Sequence, residues 1–167
     1  MTAIDSIRIL VSVGTQFPFD RLIGMVDNWA AQRSDMQAQI LMQVGPGGKH
    51  PAHCASKEFL SPAEYKAASS SAEVLVAHAG IGSILTAVEL GLPVIIVPRD
   101  FRRGEHRNDH QSSTAREFST RKGVYVATDE ATLHDLLDRR SSLDVPERGE
   151  IDAAFASRVD AFIQGGL

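Results

Sequence analysis

The 167-residue sequence contains a single cysteine, Cys54, which excludes an internal disulfide framework and fits a reducing compartment. It also lacks an excess of positive charge. The formal net charge is -4 and the pI about 5.8, so no strong basic field is present to hold nucleic acid or an anionic membrane. No apolar run approaches the roughly 18 residues of a membrane-spanning helix. The opening MTAIDSIRILVSV has neither the basic start nor the long apolar stretch of a secretory signal, and the expectation is a cytoplasmic protein. Two catalytic signatures are missing as well. There is no G-x-x-x-x-G-K-[ST] loop of a Walker-type nucleotidase and no G-x-S-x-G nucleophile elbow.

What is present is an alternation of strand and helix signals. The β-branched run at 7–13 is followed by Leu22, Val26 and Trp29 at helical spacing, and 38–44 repeats the strand pattern. The Gly/Pro-rich stretch 45–59 is expected to be a long loop or a short extra strand. Ser61-Pro62-Ala63-Glu64 carries a capping box with proline at the first helical position, and its helix should end near 69–71. Residues 74–77, 93–97 and 124–127 read as further strands. Helices are expected over 83–90, closed by Gly91, over 108–119, and after Thr128-Asp129 through Leu137. A last amphipathic helix is expected over 147–164, with Ile151, Phe155, Val159 and Phe162 on one stripe.

Strands that are apolar on both faces and alternate with helices imply one domain over 1–167, an α/β parallel sheet covered by helices on each side. In such sheets ligands bind beyond the carboxyl ends of the strands. That rule selects three loops, at 14–20, 78–83 and 99–111. In HAGIGS, Gly80 and Gly82 allow close approach to the backbone, and the free N–H groups of the following helix attract a phosphate or diphosphate. Ser83 there is better read as a helix cap or phosphate contact than as a nucleophile. Gly14-Thr15-Gln16 adds a hydroxyl and an amide. The third loop packs Arg99, Arg102, Arg103, Glu105, His106, Arg107, Asn108, Asp109, His110 and Gln111, groups suited to phosphates and sugar hydroxyls or to a solvated charged loop. Neither His106 with His110 nor His50 with His53 and Cys54 completes a recognisable metal set.

Taken together, VSVGTQFPFDRLI, HAGIGSILTAVELGLPVIIVPR and EHRNDHQSSTAREF resemble the family 28 glycosyltransferase C-terminal domain over roughly residues 7 to 127. The likeness is strongest to its small free-standing members: the donor-binding subunit of the dolichol-linked N-acetylglucosaminyltransferase and the corresponding subunits of bacterial exopolysaccharide and capsule synthesis. The resemblance implies one Rossmann-like half of a GT-B enzyme that binds a UDP-sugar and needs no cofactor or metal. It places Gly14, Thr15 and Gln16 near the diphosphate and Phe59 and Leu60 at the uracil. His78, Gly80, Ile81, Gly82 and Ser83 fall around the phosphates, and Asn108, Asp109, His110 and Gln111 at sugar or ribose hydroxyls. Arg99 and Glu105 join the substrate-binding set, Arg99 as a charge on the departing diphosphate. Many relatives have a ribose-binding glutamate where this sequence has Thr86, with Glu89 three residues on.

A single GT-B half also implies a partner: a membrane-anchored subunit that binds a lipid diphosphate-linked acceptor and recruits this chain to the cytoplasmic membrane face. The 147–164 helix is a candidate for docking on it, or for covering its own sheet. The implied reaction is inverting transfer of a hexose or hexuronic acid. The arginines at 99, 102 and 103 tilt the expectation to glucuronic acid. His78, His106 and His110 are the candidate bases in this chain, since imidazole titrates near neutral pH. A non-catalytic nucleotide-sugar sensor or assembly module is the alternative.

Overall fold

A computed structural model describes residues 6–147. Six strands form one sheet: β1 (Ile9–Ser12), β2 (Ile40–Gln43), β3 (Ala55–Lys57), β4 (Val74–His78), β5 (Val94–Val97) and β6 (Val124–Val126). Their order is β3-β2-β1-β4-β5-β6, and every pairing is parallel. The helices are α1 (Asp20–Ala31), α2 (Ser34–Gln37), α3 (Pro62–Ser71), α4 (Ile81–Leu90), α5 (His110–Phe118) and α6 (Glu130–Asp138). The expected terminal helix lies outside the described residues, apart from Glu147.

The pleat divides the strand side chains between two cores. Ile9, Val11, Ile40, Met42, Val76 and Ile95 pack with Leu22, Val26 and Trp29 of α1 and Leu133 and Leu137 of α6. Leu10, Leu41, Leu75, Ala77 and Ile96 pack on the opposite face with Ala68 of α3, Ile84 and Ala87 of α4, and Ala115 and Phe118 of α5. Helices therefore cover both faces, the doubly wound Rossmann-like arrangement anticipated from the apolar strands.

Local chemistry accounts for the element ends. Ser61 Oγ accepts from the Glu64 N–H at 3.3 Å, and a Glu64 carboxylate oxygen accepts from the Ser61 N–H at 2.8 Å, so the expected capping box forms. Asp129 caps α6 by accepting from the Thr132 N–H at 2.8 Å, and Gly91 closes α4 at φ 63°. Two expected starts shift. Helix α4 begins at Ile81 rather than 83, because Gly80 takes the cap position, and α5 begins at His110 rather than 108. The Gly/Pro-rich stretch does contain a short extra strand, β3. It belongs to the sheet through pairing with β2, although its side chains are mostly exposed. Among the described residues, no helix is long and apolar enough to cross a membrane.

Candidate functional site

The strand order reverses between β1 and β4, where the chain leaves β1 for α1 on one face and leaves β4 for α4 on the other. A crevice must open beyond the carboxyl ends of this pair. Two adjoining cavities occupy it. One, of about 390 Å³, is lined by Gly14, Thr15, Gln16, Phe17, His78, Gly82, Ser83 and His106. The other, of about 450 Å³, extends over β2 and is lined by Ser12, Gln43, Leu60, Tyr65, Lys66, Thr86 and Glu89. Gly14, Thr15, Gly82 and Ser83 border both, so the pair forms a single trough running from an imidazole-lined end to a mixed polar and apolar end.

Helix α4 points its N-terminus into the middle of that trough. Among the described residues, no side chain caps it. The Ser83 and Ile84 N–H groups bond back to the Gly80 carbonyl at 3.2 and 3.3 Å, whereas the described residues offer the Ile81 and Gly82 N–H groups no acceptor. Two orphan amides at the positive end of a helix dipole are chemically suited to an anion.

Arg99 borders the first cavity, but its polar groups are taken up within the protein. The residue is 3% exposed and its side chain lies under the β1–α1 loop. One terminal nitrogen bonds the Pro18 and Glu105 carbonyls at 2.6 and 3.4 Å; the other bonds the Val13 and Phe17 carbonyls at 2.8 and 2.9 Å. Its guanidinium carbon stands 4.6 Å from the centre of the Phe19 ring. The terminal N–H groups are thus committed to backbone, and Arg99 acts as a clamp on the loop that carries Thr15 and Gln16. Glu105 is likewise internal. Arg21 reaches it from α1 with bonds of 2.7 and 2.9 Å, and its carboxylate also accepts from the Asp100 N–H at 2.7 Å. Burial raises the Glu105 carboxyl, but the Arg21 and Asp100 bonds outweigh that and hold it below its ordinary value.

The remaining predicted residues separate into two groups. His106 joins His78 in the trough, held by Asn108 Oδ1 at 3.0 Å from its Nδ1. Asn108, Asp109 and His110 line neither cavity of the trough, and Asp109 instead borders a separate hollow with Asp100, Phe101 and Arg102. Gln111 lines the trough, but both ends of its amide are used internally, at the Arg99 N–H and at His78. Leu60 is on the wall, whereas Phe59 is 48% exposed outside it. Arg103 pairs with Asp100 at 3.4 Å. The His50, His53 and Cys54 loop is tied down by Asp27, which accepts from the Ala52 and His53 N–H groups at 2.9 Å each. Burial and Asp27 push the Cys54 thiol up to about 12, so it is an inert thiol.

Sequence reasoning missed Gln43. This buried amide ends β2, donates to the Gly14 carbonyl at 3.2 Å and accepts from the Leu60 N–H at 2.9 Å, tying the wall over β2 to the middle of the trough. Its signal was a polar residue closing an otherwise apolar strand.

Burial, then the charges of Arg99 and His106, lower the His78 imidazole to about 4. The native ring refuses a proton that the unfolded chain accepts. The stability this contributes is fully present above pH 6.5 and is lost as pH falls towards 4. Replacing His78 by glutamine should therefore flatten the acid limb, removing about 2 kcal/mol of pH-dependent stability between pH 7 and 5. Urea unfolding of both proteins at several pH values measures this; parallel curves would contradict it.

The model of the glycosyltransferase family 28 C-terminal domain matches residues 8–145. No curated protein matches the sequence. Among solved structures, the NMR solution structure of ALG13 superposes with a TM-score of 0.59 at 18% identity, covering 93% of this chain and 96% of that one. The kitacinnamycin glycosyltransferase superposes at 0.59 with 19% identity, over 98% of this chain and 40% of its own. MurG from Acinetobacter baumannii also gives 0.59 at 19% identity, over 82% of this chain and 42% of its own. These likenesses establish a shared fold. The chain spans less than half the length of the latter two.

Proposed function

This chain belongs to the glycosyltransferase family 28 C-terminal domain family, and we propose on that premise that it is the UDP-sugar-binding subunit of a two-component inverting glycosyltransferase. The observation that carries the reading is the uncapped N-terminus of α4 in the trough, flanked by Thr15, Ser83 and the His78 ring. A diphosphate laid there meets donors from three elements, and the adjoining cavity over β2 is the place for the nucleoside.

In the proposed reaction, an acceptor hydroxyl oxygen bonds to the anomeric carbon while the bond from that carbon to UDP breaks. Charge grows on the departing diphosphate, where the α4 amides and the His78 ring are placed to receive it. The hydroxyl proton goes to a base. His106 is the better placed of the histidines in this chain, because it lines the trough and His110 does not. The acceptor, a lipid diphosphate-linked saccharide, comes with a membrane-anchored partner that supplies the other GT-B half. The fold shared with ALG13 over 96% of that chain is consistent with such a half, and a single donor-binding domain is part of the proposal. Exopolysaccharide or capsule synthesis is the proposed pathway class.

A hexose or hexuronic acid is the proposed sugar, but the arginines that tilted the choice to glucuronate are turned elsewhere. Arg99 is spent on carbonyls, Arg103 pairs with Asp100, and Arg102 borders the separate hollow. A thermal-shift panel of UDP-sugars against NAD tests the reading. UDP-sugars at a hundredfold excess over Kd should add about 2.7 kcal/mol, or roughly 5–11 °C, and NAD nothing. Arg102→Ala should leave the order of the sugars unchanged. Stabilisation by NAD alone would overturn the donor-site assignment.

Thr86 favours a second reading, a non-catalytic nucleotide-sugar sensor. Its hydroxyl donates to the Gly82 carbonyl at 2.9 Å, so that proton is held within the helix and cannot replace the two acceptor oxygens of a ribose-binding carboxylate. UDP release by the complex with a lipid-linked acceptor separates the two readings. Donor binding without any turnover selects the sensor.

A further inference from the structure

We propose that Gln111 is a positioning residue that locks His78 in the tautomer carrying its proton on Nε2, so that the ring serves the donor site as a neutral hydrogen-bond donor. This rests on the UDP-sugar reading only for what the donor would contact. The tautomer itself follows from the hydrogen-bond network.

The backbone N–H of Arg99 can only donate, so the Gln111 atom 3.0 Å from it is the carbonyl oxygen Oε1. The amide nitrogen is then the atom facing His78 Nδ1, also at 3.0 Å. An amide nitrogen can only donate. Nδ1 must therefore present its lone pair, and in the neutral ring the hydrogen sits on Nε2. Among the described residues nothing takes that Nε2–H, and the ring lines the trough.

Packing keeps the ring in place. A Cβ on Gly80 would fall 2.2 Å from His78 Cε1, and one on Gly14 would fall 3.0 Å from Nε2, so the imidazole occupies space that two glycines leave open. Gln111 is 6% exposed and links the ends of β4 and β5 to the first turn of α5. The groups facing the ring are the Arg99 guanidinium and the titratable His106 imidazole, and positive charge on either opposes protonation of His78. In this state Nδ1 is engaged and Nε2 already holds a proton. His78 is therefore placed to bind oxygen atoms and is not placed to deprotonate the acceptor, which removes it from the candidate bases.

The test is ¹⁵N NMR of the imidazole nitrogens in the full chain without ligand. The wild type should show a single tautomer protonated at Nε2 from pH 5.5 to 8. Gln111→Glu keeps an acceptor for the Arg99 N–H but turns acceptor towards the ring, and should move a proton onto Nδ1. Gln111→Met should mix the tautomers and weaken UDP binding about tenfold, the loss expected when one hydrogen bond to a charged group is disrupted. A wild-type proton on Nδ1, or a Gln111→Glu protein whose Nδ1 stays bare, would overturn the proposal, and the wild-type spectrum decides even if a variant fails to fold. Should the tautomers behave as expected while UDP does not bind the wild type, the donor-site reading fails and the positioning role stands.

Discussion

Replacing Arg99 by methionine is expected to lower the unfolding midpoint by roughly 6–12 °C and to weaken UDP binding at least tenfold, through the loop that its side chain clamps. The side chain fills a space under the β1–α1 loop and satisfies carbonyls of Val13, Phe17, Pro18 and Glu105. Methionine preserves much of the volume but leaves the buried Val13 carbonyl, and the part-buried carbonyls of Phe17, Pro18 and Glu105, without this donor. Each buried acceptor left unpaired costs roughly 1–3 kcal/mol. Removing a buried cation returns part of that, since burial itself disfavours the charge and pulls the guanidinium below its ordinary value, with Glu105 opposing. A net loss of about 3 kcal/mol is the balance. Lysine should not rescue it, because one ammonium cannot span carbonyls set out for a planar fork. Calorimetry gives the midpoint and UDP titration the affinity. Wild-type affinity in a destabilised Arg99→Met protein would show that the clamp does not shape the donor loop.

Gly80→Ala is the second large effect, and it acts on the site more than on the fold. The backbone there is extended, at φ -88° and ψ 139°, so alanine meets no strain. The obstacle is the new methyl, 2.2 Å from His78 Cε1 and 2.9 Å from both ring nitrogens. Something must shift. The ring is held by Gln111 on one edge and abuts Gly14 on the other, so it has to leave its place and break the Gln111 bond. A cost of about 1–3 kcal/mol in stability is expected, as for overpacking elsewhere. UDP affinity should fall at least tenfold, because the ring and the α4 amides are displaced together. Gly82→Ala is the control. A Cβ there meets nothing within 4 Å, so stability should change little. Equal effects of the two substitutions would refute the steric account.

The comparison of these two residues shows what could be read in advance. The turn at Gly80 was legible as a turn. A strand that ends in a polar, almost side-chain-free turn before a helix leaves backbone amides open, and the structure puts that turn at the switch point, with Gly80 at the cap of α4 and Gly82 and Ser83 on the trough wall. The capping box of α3, the Gly91 stop and the parallel strands were legible for a similar reason: each depends on residues a few positions apart. Arg99, Glu105 and Gln111 were recognised as polar residues in a site loop, but their partners were not. Arg99 bonds residues more than 80 positions away, Glu105 meets Arg21 across 84, and Gln111 meets His78 across 33. A loop rich in arginine and histidine has the same composition whether its groups face a ligand or one another.

The sequence by itself determined the doubly wound α/β sheet, the sheet edge that carries the trough, the glycine turn and the family to which these belong. Periodicity, capping and turn chemistry act over short stretches of chain, and both faces of the sheet had to be apolar to accept helices. Only the tertiary structure decided which polar groups remain for a donor. A buried hydrogen-bonding group must be satisfied by whatever the fold brings beside it. Here the fold commits the polar groups of Arg99, Glu105 and Gln111 to internal partners, and leaves the start of α4 and the His78 ring at the trough.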